Sequence, residues 1–155
     1  MKAVVQRVRR GSVLCDGRLV SSIGPGLVIL VGVAKGDSEK DAAWLASKCA
    51  NLRIFEDGEG KMNLSLKEIQ GEALVVSQFT LLGDARKGRR PSFDNASEPA
   101  LAEALYGVFI ERLAKDGVTA RGGKFRTKMI VEIENEGPVT IILDSREKED
   151  GSGVS

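Results

Sequence analysis

Histidine is absent from the 155 residues of this chain. Without imidazole there is no Ser-His-Asp or Cys-His arrangement, and no zinc site built on histidine. Proton transfer near neutral pH then falls to a retuned carboxylate or lysine, to backbone and hydroxyl groups, or to a substrate. Cysteine is scarce too. Cys15 and Cys49 lie 34 positions apart with no CxxC pattern, which reads as buried reduced thiols and not as a disulfide or a metal cluster. No apolar run approaches the ~20 residues that span a membrane. The opening Met1-Lys2-Ala3-Val4-Val5-Gln6-Arg7 alternates too soon for a signal peptide's apolar core, so a cytoplasmic protein is expected. Neither sign of charge dominates. With 23 Lys+Arg against 22 Asp+Glu, the net charge of +1 excludes a globally basic nucleic-acid binder but leaves room for a local basic patch. Composition by itself leaves enzyme and non-enzyme both open.

What is present fits one soluble globular domain. Hydrophobic residues make up 42% and charged residues 29% of the chain, the balance of a folded protein. Residues 2–33 read as strands, with Asp16-Gly17 as a hairpin signal between Ser12–Cys15 and Arg18–Ile23. The run from Leu27 to Val33 is nearly continuous in apolar residues, which predicts a strand buried on both faces. Asp37 or Ser38 can cap a helix over about 39–51, whose inner face is Ala42, Leu45, Ala46 and Cys49. Short strands follow at Leu52–Phe55 and Met62–Leu66, then a longer one at Ala73–Leu82. After a charged loop, Gly83–Asn95, Ser97 caps a long helix with Pro99 in its first turn and Gly117 after its end. Two last strands, Lys128–Glu134 and Val139–Asp144, are joined at Asn135-Glu136-Gly137-Pro138. The expected fold is α+β: a mostly antiparallel, curved or barrel-like sheet with two main helices, in one domain over residues 1–145. The polar tail 146–155 is expected to be disordered.

Three segments depart from what a core requires. Ser77-Gln78-Phe79-Thr80-Leu81 puts polar side chains at the end of an apolar strand. There they are either satisfied hydroxyls or the wall of a pocket whose backbone N–H groups could hold an oxyanion. Gly137-Pro138 is either an ordinary turn or a place where bare carbonyls are presented to a ligand. The loop Asp84-Ala85-Arg86-Lys87-Gly88-Arg89-Arg90-Pro91-Ser92-Phe93 carries four cations and one carboxylate. It is a solvated surface or a grip on a phosphate backbone. Lys2, Arg7, Arg9 and Arg10 form a second basic cluster.

The combination is more specific than its parts. Ser77–Leu81 with Asn135–Thr140, after a start reading Ala3-Val4-Val5-Gln6-Arg7-Val8, closely resembles the D-aminoacyl-tRNA deacylases. The likeness runs on through Asn51-Leu52-Arg53, Lys87–Phe93 and Asp144-Ser145, and so covers residues 1–145.

The resemblance implies an ester hydrolase that frees D-amino acids, and glycine, from the 3′-terminal adenosine of tRNA. It implies a homodimer with active sites at the subunit interface and no metal or cofactor. Ser77, Gln78, Phe79 and Thr80 match the family's pocket segment. Gly137 and Pro138 match a cis motif that reaches into the partner's pocket and stands where an L side chain would fall. Arg7 matches an arginine bracing that motif, and Met129 a pocket-lining methionine. By the same resemblance, catalysis is assisted by the adenosine 2′-hydroxyl, with amides near Phe79 and Thr80 stabilising the oxyanion. Thr80 as a nucleophile lacks a histidine to activate it. Arg126-Thr127 stands where the family usually carries small residues, commonly Gly-Ala. A non-catalytic RNA- or nucleotide-binding dimer is the competing expectation.

Overall fold

The computed structural model describes residues 1–148. Its strands are β1 (Lys2–Cys15), β2 (Arg18–Ile23), β3 (Gly26–Gly32), β4 (Phe55–Glu56), β5 (Met62–Leu64), β6 (Glu72–Ser77), β7 (Thr119–Gly122) and β8 (Ile130–Asp144). Helix α1 spans Glu39–Asn51 and α2 spans Pro99–Lys115. Strands β2-β1-β3-β6-β7 form one sheet in that order, with β8 on the free side of β1. The pairs β1–β2, β1–β3 and β1–β8 are antiparallel, as is the small β4–β5 hairpin, while β3–β6 and β6–β7 are parallel. The mixed sheet curls nearly into a barrel, and the molecule is a single α+β domain, as the sequence leads one to expect.

The apolar runs explain the centre of the sheet. Leu27, Ile29 and Val31 of β3 and Ala73 and Val75 of β6 face the helices, in one core with Leu45, Cys49, Phe109 and Leu113. Val28, Leu74 and Val76 point the other way, into a second core with Val8, Val13 and Ile23. Strands covered on both faces carry no polar alternation, which is why both read as continuous hydrophobic stretches. Each fully buried Leu, Ile or Phe side chain contributes roughly 1.5–3 kcal/mol.

Strand β1 passes from one core to the other. Ala3 and Val5 belong to the helix-side core and Val8 and Val13 to the second. Between them the β1–β8 register shifts twice, at Gln6/Val8 and at Val8/Arg10. An extra residue in a ladder bends the strand and turns its side-chain pattern over, so the irregularity is what lets one strand serve two cores.

Several elements differ from expectation. The segments on either side of Asn135–Pro138 are not two strands folded back at a turn. They are one strand, β8, lying along nearly the whole of β1, and Asn135–Pro138 falls at the bulge. The Gly137–Pro138 peptide is cis. Strand β6 ends at Ser77, and Phe79–Leu82 forms a 3₁₀ turn. The alternation expected across Ser77–Thr80 therefore does not hold beyond Ser77. Ser38 caps α1, whereas α2 is entered through an extended Glu98, one residue after Ser97, with Pro99 opening the helix. Proline disfavours helical geometry in the residue before it, which displaces the cap. Leu52–Ile54 stay outside β4, and β7 is a strand with no alternation strong enough to find from sequence. Arg146 and Glu147 lie in a short 3₁₀ turn, Ser145–Glu147; residues 149–155 of the expected disordered tail lie outside the described residues.

Candidate active site

A cavity of about 580 Å³ opens where β6 ends. Ser77, Gln78 and Phe79 form one wall, Pro99 at the start of α2 another, and Phe125 and Met129, between β7 and β8, a third. The wall exists because β6 cannot continue. Gln78 N–H donates to Val31 O at 2.7 Å, the last bond of the parallel pairing, and the chain then turns into the 3₁₀ helix. The first N–H groups of a helix have no partner within it. Those of Phe79 and Thr80 meet no backbone acceptor among the described residues, so two donors sit side by side at the cavity's edge. Phe79 itself is 56% exposed.

Thr80 does not line the cavity. Its Oγ1 accepts a hydrogen bond from Gln78 Nε2, its one side-chain partner among the described residues, and it is exposed. Hydroxyl and amide thus hold each other at the lip.

Tyr106, which reasoning from sequence misses, anchors the opposite side. Its hydroxyl donates to Val75 O at 2.7 Å and accepts from Gly123 N at 3.1 Å, tying α2 to the end of β6 and to the turn after β7. Burial raises the phenol above its ordinary 10.0. Its ring stacks on Phe125, centroids 6.2 Å apart. The one available signal was a lone tyrosine beside Leu105 on the inward face of α2.

The basic loop is fastened to the same lip. Asp84 and Ser92 exchange backbone hydrogen bonds at 2.7 and 2.8 Å, closing the loop's neck. Phe93 meets Phe79 edge to face, centroids 5.2 Å apart. Arg86 is committed to Asp84, whose carboxyl its guanidinium holds down to about 2. Lys87, Arg89 and Arg90 form no ion pair among the described residues. They leave a compact positive tip beside the cavity.

Arg7, Gly137 and Pro138 meet elsewhere. Arg7 is only 7% exposed. Its Nη1 donates to Ile54 O at 2.8 Å and its Nε to Glu136 O at 3.3 Å. Asn135, also missed from sequence, donates through Nδ2 to Arg7 O at 2.9 Å and Val139 O at 3.1 Å, and so pins both sides of the bulge. Gly137 has φ +120°, a conformation only glycine takes readily. A Cβ there would stand 2.9 Å from Val139 Cγ2 and 3.0 Å from Arg7 Nη2. The bulge is exposed at Glu136, Gly137 and Pro138. Neither Gly137 nor Pro138 lines the cavity, and Val131, the one β8 residue that does, stands seven positions before Pro138. The structure brings Ser77, Gln78, Phe79 and Met129 together, leaves Thr80 at the rim, and gathers Arg7 with Gly137 and Pro138 at a separate place.

Residues 4–144 match the family described as D-Tyr-tRNA(Tyr) deacylase. A D-aminoacyl-tRNA deacylase of Dehalococcoides mccartyi (strain ATCC BAA-2266 / KCTC 15142 / 195) is 60% identical over 96% of this chain and 97% of its own. One from Thermoanaerobacter sp. (strain X514) is 56% identical over 94% and 98%. The solved structure of a c-Myc DNA Unwinding Element Binding Protein superposes with a TM-score of 0.87 at 43% identity, covering 93% of this chain and 98% of that one. A probable eukaryotic D-amino acid tRNA deacylase, 20% identical with a TM-score of 0.77 over 92% and 97%, shares the fold. With a match running from β1 through the last residue of β8, the chain belongs to the D-aminoacyl-tRNA deacylase family and is a hydrolase.

Proposed function

We propose that the cavity at the end of β6 receives the aminoacylated 3′ end of tRNA and that the protein cleaves the ester of D-aminoacyl-tRNA, glycyl esters included. The observation that carries this reading is the pair of N–H groups at Phe79 and Thr80 with no partner among the described residues, beside a cavity whose lining includes no carboxylate, lysine or histidine. A water attacks the ester carbonyl, and the oxygen that gains negative charge is held by those two amides. The bond to the ribose 3′-oxygen breaks, that oxygen takes up a proton, and free D-amino acid and tRNA leave. The adenosine 2′-hydroxyl assists the proton transfer, which accounts for a site without histidine. Ser77 and Gln78 orient the ester, and Phe79 and Met129 give the aminoacyl group an apolar wall.

Selection against L-aminoacyl groups falls to Gly137 and Pro138 of a second subunit, entering this subunit's cavity in trans. Two features support the arrangement. The bulge is held by Arg7 and Asn135, and neither Gly137 nor Pro138 lines the cavity of its own chain. A clash discriminates only when the obstacle is stiff. Lys87, Arg89 and Arg90 would grip the phosphate backbone of the acceptor stem, and such a substrate places the protein in the cytoplasm.

The test compares D-aminoacyl-tRNA carrying its terminal 2′-hydroxyl with the same ester bearing hydrogen there. Rapid hydrolysis of the first and near-loss on the second is expected. No hydrolysis of either overturns the activity; equal hydrolysis of both overturns the assistance. One observation favours a second reading, nucleic-acid binding without turnover: the positive tip Lys87–Arg90, together with the DNA-element binding that gives the 43% identical protein its name. Tight RNA binding with no hydrolysis would support it.

A further inference from the structure

The cavity carries a single charge. Among the residues that line it, only Arg126 has a side chain that is ionised at neutral pH. Its guanidinium forms no ion pair among the described residues, and the residue is exposed. The backbone around it is a tight turn: Thr127 donates to Lys124 O through its N–H at 3.3 Å and through Oγ1 at 2.8 Å. Arg126 occupies the third position of that turn with φ +58°. Positive φ at the third position is the place of glycine or asparagine, and side chains held in such conformations gather at functional sites. An arginine here costs backbone comfort and brings a charge that no acidic side chain pairs with among the described residues.

The anion it meets follows from the substrate's chemistry, so the inference rests on the reading above. An aminoacyl adenosine end has a cationic or neutral amine, a neutral ester, a neutral sugar and a neutral base. The anion common to every such substrate, whatever its amino acid, is the phosphodiester on the 5′ side of the terminal nucleoside. We infer that Arg126 is a positioning residue that takes this phosphate and so sets how deeply the ester enters the cavity. The planar guanidinium suits two phosphate oxygens at once, and Lys124 and Lys128, exposed on either side, add to the same field.

Wild-type protein should bind adenosine 5′-monophosphate about tenfold more tightly than adenosine, the weight of one charge-assisted contact. Arg126→Ala should lose most of that preference, and Arg126→Lys should restore part of it. On D-aminoacyl-tRNA, Arg126→Ala should raise KM about tenfold with little change in kcat, and the loss should be much smaller on D-aminoacyl-adenosine, which has no phosphate. Arg126→Gly should show the same loss while melting no lower than wild type, because glycine relaxes the turn. An undiminished phosphate preference in Arg126→Ala, or equal losses on both esters, would overturn the assignment. If wild type hydrolyses neither ester yet prefers the monophosphate through Arg126, the deacylase reading fails and the phosphate contact stands.

Discussion

Thr80 carries one of the two amides that have no backbone acceptor among the described residues, and its hydroxyl is engaged by Gln78. On the proposed mechanism its contribution is its N–H, which survives any side-chain replacement except proline. Thr80→Ala should keep kcat for D-aminoacyl-tRNA within about fivefold of wild type, well under the ~10²–10³ lost with an oxyanion donor. Abolished turnover with intact binding would instead make Thr80 the nucleophile. Gly137 is the opposite kind of residue, one whose missing side chain matters. At φ +120°, with Val139 and Arg7 crowding the place a Cβ would take, Gly137→Ala should destabilise the fold by about 1–3 kcal/mol. Urea denaturation with an unchanged slope measures this; an unshifted midpoint would mean that the bulge tolerates a side chain.

At the scale of elements, α1 is held by a face that its periodicity announced, and Cys49 lies at its centre, fully buried. Burial pushes the thiol from an ordinary 9.0 up to about 12. The unfolded chain releases this proton first, so the contribution to stability is intact below about pH 9 and falls as pH rises from there toward about 12. The stability advantage of wild type over Cys49→Ala should therefore shrink above about pH 9 in urea titrations, and a gap that stays constant to about pH 11 would contradict the burial. Periodicity made the two helices and the doubly covered strands β3 and β6 legible, because burial on a helix stripe or on both strand faces leaves its mark in residue order. The 3₁₀ turn at Phe79–Leu82 left no such mark. Ser-Gln-Phe-Thr continues as a strand in any local reading, and it is the end of β3, where Val31 O takes the Gln78 N–H, that stops it. The β8 bulge was hidden for a related reason. A Gly-Pro between two apolar runs reads as a turn, and only the length of β1 alongside reveals one continuous strand. Ser77, Gln78, Phe79 and Met129 could be named for the pocket through family likeness, whereas Tyr106 and Asn135 act through hydrogen bonds that have no sequence period.

For the whole molecule, the fold keeps the cavity and the Gly137–Pro138 bulge as separate places with no lining residue in common. The cavity lies at the end of β6 and the Gly137–Pro138 bulge lies far along β8, exposed, on a strand whose outer edge pairs with nothing among the described residues. Unpaired edges and exposed apolar side chains such as Ile142, 75% accessible, are surfaces that a second copy would cover. Sedimentation at micromolar concentration should give a dimer, and a monomer under conditions of full activity would remove selection in trans.

The absence of histidine, the paired amides and the rigid bulge converge on one claim: the protein cleaves by backbone and substrate groups and chooses by shape. Single-turnover deacylation of one tRNA charged with a D-amino acid or with its L enantiomer tests that claim most directly, with enzyme in excess so that binding does not limit the rate. The D ester should be hydrolysed while the L ester persists at its uncatalysed rate. Equal hydrolysis of both, or of neither, would contradict it.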